Sequence, residues 1–253
     1  MQKQFKELTD CQWLKVKKYL NNHKPKKHDI RVILDAVLWI TRTGCQWRNM
    51  ESSYPKWQSV YYYFNIWRTN GTLGLILNEL VKQERVRQGK NAKPSAGAID
   101  SQSVKICSFQ SEETGIDGGK KINGRKRHIL VDTLGLPIAI HVSSANTSDA
   151  VGGFDLLAQT EHVEESLKLI RGDKAYGKMF KEAASWYNFE VDTSQRPPSE
   201  KGFIPQKGRW QVERSFGWMG FYRRLSKDYE KTPQAAIAFI QLMFINIILA
   251  RIT

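Results

Sequence analysis

The pattern of apolar residues changes character once along this chain, between Gln83 and Ser95, and that change limits the folds open to it. Before it, apolar side chains recur at helical spacing, as in Leu14, Val16 and Leu20, then Ile30, Ile33, Leu34, Val37 and Leu38, then Leu73 to Val81. After it, short strand-forming runs are mixed with helical ones. In between, Arg85, Arg87, Lys90 and Lys93 collect around Gly89 and Pro94 without an apolar pattern, as at a boundary. The chain therefore reads as a small helical unit over residues 1–84, a basic linker over 85–95 and a mixed α/β unit over 96–253.

Local signals place the elements. Thr9 and Gln12 have capping-box spacing ahead of the first helix, and Asp29 caps a second that Gly44 stops. The aromatic run Val60 to Trp67 precedes a further helical stretch, and these short helices with a tight turn resemble a helix-turn-helix module. In the second unit, strands are expected over residues 98–104, 127–132 and 137–142, with a turn at Thr133-Leu134-Gly135-Leu136. A helix over 150–160, a strand over 167–170 and a helix over 179–187 follow. The apolar stretch from Ala235 to Ala250 is shorter than the roughly 20 residues of a membrane span and carries Gln241 and Asn246. With Thr232 and Pro233 at its start, it reads as a buried closing helix.

Charge points to the partner. The net charge of +14, from 39 Lys and Arg against 25 Asp and Glu, fits a polyphosphate better than a membrane surface. Lys15, Lys17, Lys18, Lys24, Lys26 and Lys27 form an early basic fringe. Cys11, Cys45 and Cys107 lie far apart without paired spacing, which suggests neither a disulfide framework nor a zinc site. The first residues lack the apolar core of a signal peptide, so a cytoplasmic, nucleoid-associated location is expected.

Against this basic background three acids stand out. Asp100 follows the small, apolar run Ala96-Gly97-Ala98-Ile99, Asp173 follows Leu169-Ile170-Arg171-Gly172, and Glu213 lies in the helical pattern Arg209 to Phe216. Val212, Phe216 and Met219 form a stripe that Glu213 borders. Magnesium prefers oxygen ligands and takes one or two carboxylates together with substrate phosphates, so acids carried by separate elements can serve phosphodiester chemistry. Singly, each acid reads equally as a turn, cap or solvated residue, and Glu213 also as the partner of Arg209 in an intrahelical ion pair. Gly172 and Gly217 beside them would admit a DNA backbone.

At these residues the sequence resembles the DDE transposases of small bacterial insertion sequences, of the insertion-sequence-five type. Ala98-Ile99-Asp100-Ser101-Gln102-Ser103-Val104-Lys105 is similar to that family's first-acid motif, Gly124 to Gly135 to its hairpin, and Asp173-Lys174-Ala175-Tyr176-Gly177 to its second-acid motif. Trp210 to Trp218, running on through Tyr222-Arg223-Arg224-Leu225, resembles the third. Leu8 to Trp13 and Thr43 to Arg48 are similar to the helical region these enzymes carry first.

The resemblance implies an RNase H-like catalytic core, two Mg2+ ions with Mn2+ as a substitute, and double-stranded DNA as substrate, both as terminal inverted repeats and as target. It makes Asp100, Asp173 and Glu213 the metal ligands and implies a homodimer on DNA. Lys105, Lys126, Arg127, Lys174, Arg209 and Arg214 become expected phosphate contacts. Gly220 stands where relatives often carry a lysine, and Arg223 or Arg224 is the expected replacement. The rival readings are a catalytically inactive repressor of the element and a metal-dependent, structure-specific nuclease.

Overall fold

The computed structural model describes residues 5–20, 28–107, 111–193 and 208–251. Helix α1 (Asp10–Leu20) begins at the expected capping box: the Gln12 side chain accepts the Thr9 N–H at 3.0 Å and the Thr9 hydroxyl accepts the Gln12 N–H at 3.3 Å. Helix α2 (Ile30–Thr43) is capped by Asp29, which accepts the Arg31 N–H. It stops at Gly44, whose φ of 71° turns the chain out of the helix. A Cβ there would also lie 2.9 Å from the Arg223 backbone. Helices α3 (Trp57–Thr69) and α4 (Thr72–Arg87) complete the first unit. Lys15, Lys17 and Lys18 are exposed on α1, while Lys24, Lys26 and Lys27 lie outside the described residues.

The second unit contains β1 (Ala96–Lys105), β2 (Gly115–Asp117), β3 (Ile122–Asp132), β4 (Pro137–Ser144), α5 (Asp149–Leu157), β5 (Leu169–Arg171), α6 (Lys178–Ser185), β6 (Glu190–Asp192), α7 (Trp210–Met219) and α8 (Pro233–Leu249). They build one mixed sheet. β3 runs antiparallel to β1, β2 and β4, whereas β1, β5 and β6 are mutually parallel. Helices α5 and α6 cover one face, burying Ile99, Leu130, Leu156, Ile170 and Phe180. Helices α7 and α8 cover the other, over Ala98, Ile129 and Val131.

Helix α8 joins the two units. Thr232 caps it by accepting the Ala235 N–H, and Pro233 occupies its first turn. It packs on β4 on one side and on α2, α3 and α4 on the other, where Phe239 stacks on Phe64 with ring centroids 4.9 Å apart. One continuous apolar core therefore runs from the helical unit into the sheet. No helix among the described residues is long and apolar enough to cross a membrane. Helix α4 continues through Arg87 into the expected linker, and Arg85 turns inward to pair with buried Asp132 at the end of β3.

The basic residues of β3 follow its alternation. Arg125 and Arg127 point toward the segment before α8. Arg127 donates to the Leu225 and Lys227 carbonyls at 2.8 and 3.2 Å, and Arg125 donates to the Glu112, Glu230 and Lys231 carbonyls and to Asp228. Lys126 and His128 point to the opposite face, toward α5. Lys126 pairs with Asp149 at 3.0 Å and donates to the Thr147 carbonyl at 2.8 Å, and the His128 ring bonds Ser143 at 2.9 Å. All four are buried.

Two expectations follow from the His128 environment. A Cβ at Gly152 would lie 2.2 Å from the imidazole. Gly152→Ala should therefore destabilise the protein by about 1–3 kcal/mol, as overpacking does; a parental urea midpoint would contradict this packing. Burial also pushes the imidazole down to about 3 from its ordinary 6.5, with His141 and Lys126 acting in the same sense and Asp149 opposing. Because the folded-state value is depressed, neutral His128 contributes stability that is present above about pH 6.5 and is lost as the pH falls toward 3. His128→Gln should flatten that acid limb in urea unfolding measured from pH 6.5 downward, and an unchanged limb would exclude His128 as its source.

Candidate active site

Two acids are brought together by strand pairing. Ala96, Gly97 and Ala98 pair in parallel with Leu169, Ile170 and Arg171, so Asp100 and Asp173 stand two residues further along neighbouring strands. Asp100 lies within β1, and one of its oxygens accepts the Ser101 N–H at 2.7 Å. Asp173 lies just beyond β5 and accepts the Ala175 N–H at 2.8 Å, which closes a turn. Gly172 has a different task from the one expected. A Cβ there would lie 2.9 Å from the Tyr176 ring and 3.0 Å from Ile99, so its small size serves the packing behind the acids. Gly217 faces open space.

Asp100 is held at an electrostatic cost. Burial pushes the Asp100 carboxyl up to about 6; the charges of Asp173 and Asp149 act in the same sense, while the Ser101 N–H and Arg209 oppose it. Behind it lies Tyr176, fully buried, its hydroxyl without a hydrogen-bond partner and its ionisation suppressed by burial and by Asp100, Asp149 and Asp173. Crowded carboxylate oxygens with an unsatisfied phenol beside them fit a hard cation, which prefers oxygen donors.

Glu213 is carried by α7. Helix α7 buries Val212, Ser215 and Met219, and Ser215 donates to the Gly135 carbonyl at 2.8 Å. Arg209, at its start, acts on Asp100, and Phe216 and Gly220, further along, share a hollow with Gln102 of β1. Glu213 lies between those points in sequence and is exposed. Among the described residues, no three His, Cys, Asp or Glu side chains gather closely enough to hold a metal ion. Strand register thus brings Asp100 beside Asp173, and among the described residues the three acids do not form a closed cluster.

The expected phosphate contacts divide by burial. Lys105, Lys174 and Arg223 are exposed, and Arg209 is partly buried beside Asp100. Arg214 is also partly buried; it donates to the Leu134 carbonyl at 2.7 Å and lies over the Trp210 and Trp218 rings. Lys126, Arg127 and Arg224 differ from the other expected contacts. They are buried, and Arg224 bonds Glu230 at 2.7 Å and the Cys45 carbonyl at 3.2 Å. Their charges tie the fold together from inside. The sequence reading also passed over Asp149, because Asn146-Thr147-Ser148 ahead of it resembles an ordinary helix cap.

Residues 91–249 match the family model described as "Transposase DDE domain", and residues 8–77 match "Putative transposase of IS4/5 family". A curated relative, "Putative transposase for insertion sequence element IS402" from Burkholderia cepacia, is 27% identical over 127 residues. That match covers 47% of this chain and 60% of the relative. The mixed sheet flanked by helices is the RNase H-like architecture of the DDE domain. The chain belongs to the DDE transposase family of the IS4/5 type.

Proposed function

We propose that this chain is a catalytically active transposase that binds the terminal inverted repeats of its element, cuts to expose a 3′-hydroxyl and joins that hydroxyl to target DNA. The observation that carries this reading is the placement of Asp100 on β1 beside Asp173, just past the end of the neighbouring parallel strand β5, with Arg209 acting on Asp100. In this reading Asp100 and Asp173 would hold divalent metal, Mg2+ or Mn2+ and two ions in all, with Glu213 drawn in from α7 as the third ligand. Bound metal supplies charge neutralisation on the phosphoryl oxygens and lowers the pKa of an attacking water. Arg209 orients the scissile phosphate, and Lys105, Lys174 and Arg223 hold flanking phosphates from the exposed surface. The working form is a homodimer on two element ends, in the cytoplasm at the nucleoid.

Incubating labelled element ends with Mg2+ and target DNA tests the reading. Strand joining is the expected result; cleavage alone would identify a nuclease, and binding alone a repressor. Asp100→Asn should lower cleavage by at least about 100-fold, the scale of losing one organised charge-stabilising group, while end binding persists. Since burial raises this carboxyl, the ionised form works against folding above about pH 6. The Asn variant should therefore melt no lower than the parent at pH 7.5, and unaltered cleavage in it would remove Asp100 from the site.

End binding should weaken with salt, with a slope of about −3 to −4 in log K against log salt from Lys105, Lys174, Arg209 and Arg223 alone. Lys174→Ala and Arg223→Ala should each reduce that slope by about 0.9. Arg127→Ala and Arg224→Ala should instead lower the melting temperature. Parental slopes in both Lys174→Ala and Arg223→Ala would contradict this surface.

A further inference from the structure

Asp149 and Ser101 belong to none of the ligand or phosphate-contact sets above, yet they connect to Asp100 through an unbroken series of hydrogen bonds. Ser101 faces away from Asp100 across β1, and its hydroxyl donates to Asp149, the first residue of α5, at 2.7 Å. Asp149 also pairs with Lys126 of β3 at 3.0 Å, and Lys126 donates to the Thr147 carbonyl at 2.8 Å in the turn before α5. On the other side, the Ser101 N–H donates to the Asp100 carboxylate at 2.7 Å. Ser101 is thus held at its side chain by α5 and at its amide by Asp100.

From this series we infer that Asp149, acting through Ser101, is a positioning residue for Asp100. The ion pair to Lys126 keeps Asp149 charged and stationary, and the charged acceptor fixes the Ser101 hydroxyl. The fixed serine steadies the backbone N–H that one Asp100 oxygen accepts. The buried Lys126 takes its place here as the anchor at the far end, which explains a lysine on the α5 face of a central strand. Carboxylates that ligate metal are commonly oriented by such hydrogen-bonded partners, whose loss weakens metal affinity or activity about 10- to 100-fold.

The inference rests on the assignment of Asp100 as a metal ligand, so the test measures both. Mn2+ is titrated into the full-length protein, read by the shift in melting temperature, and in parallel into cleavage of labelled element ends. Ser101→Ala and Asp149→Ala should each move the Mn2+ midpoint up by about 10- to 100-fold in both readouts, with end binding kept. Ser101→Thr, which retains the hydroxyl, should restore the parental midpoint. Adding Ser101→Ala to Asp149→Ala should produce little further change, as expected of two links in one series. Should Asp149→Ala fail to fold, Ser101→Ala carries the test, because it leaves the Asp149–Lys126 pair in place. A parental midpoint in Ser101→Ala, when Asp100→Asn abolishes the Mn2+ response, would overturn the positioning role alone. A parental response in Asp100→Asn would overturn the ligand assignment and the positioning role together.

Discussion

A ladder of only three residue pairs, between Ala96-Gly97-Ala98 and Leu169-Ile170-Arg171, decides where two carboxylates from distant parts of the chain stand. Parallel pairing repeats the same side-chain direction on neighbouring strands, so a shift of one residue would send Asp100 and Asp173 to opposite faces. The ladder is protected by its composition. A Cβ at Gly97 would lie 2.9 Å from the Val131 carbonyl and 3.0 Å from Leu130, so nothing larger than glycine lets β1 lie this close to β3. Behind the acids, Gly172 admits the Tyr176 ring against Ile99 in the same way. The small residues before each acid are therefore the condition for bringing the acids together.

The same sheet redistributes charge. A chain with a net charge of +14 has the composition of a polyanion-binding protein, yet Arg85, Arg125, Lys126, Arg127 and Arg224 are buried and bonded. Buried ion pairs contribute little net stability over apolar packing, but removing one partner strands the other charge at a cost of about 3–5 kcal/mol. These residues therefore specify which segments meet. Arg125 and Arg127 hold the stretch around residues 225–231 on the sheet, and Arg85 ties α4 to the end of β3. All of these buried residues but Arg127 are paired with an acid, so the net positive charge left for a polyanion stays close to that of the composition.

What could be read from the sequence divides along the same line. The Thr9–Gln12 capping box, the Asp29 and Thr232 caps and the Gly44 stop depend on atoms within a few residues, and each is found where expected. Strands β2 and β6, with three residues each, are too short to show an alternation and were not anticipated. Burial of Lys126, Arg127 and Arg224 depends on partners far along the chain, which no local pattern reveals. Asp100 and Asp173 were legible as acids after small residues, but the Ser101–Asp149 contact joins β1 to α5 across 48 positions and has no local signature.

Burial raises the Asp100 carboxyl more than its acidic neighbours do, and the packing that holds it must work against that cost. Part of the relief is local: the Ser101 N–H and Arg209 both favour the charged form of Asp100, though not enough to return it to the ordinary range. The rest of the burden falls on structure. Asp173 is bound into its own turn, α5 is locked to β1 and β3 through Asp149, and the apolar wall of Ile99, Tyr176 and Phe180 fixes the strands from behind. Among the described residues, the raised carboxyl of Asp100 is thus held in place by packing and hydrogen bonds rather than by a paired cation.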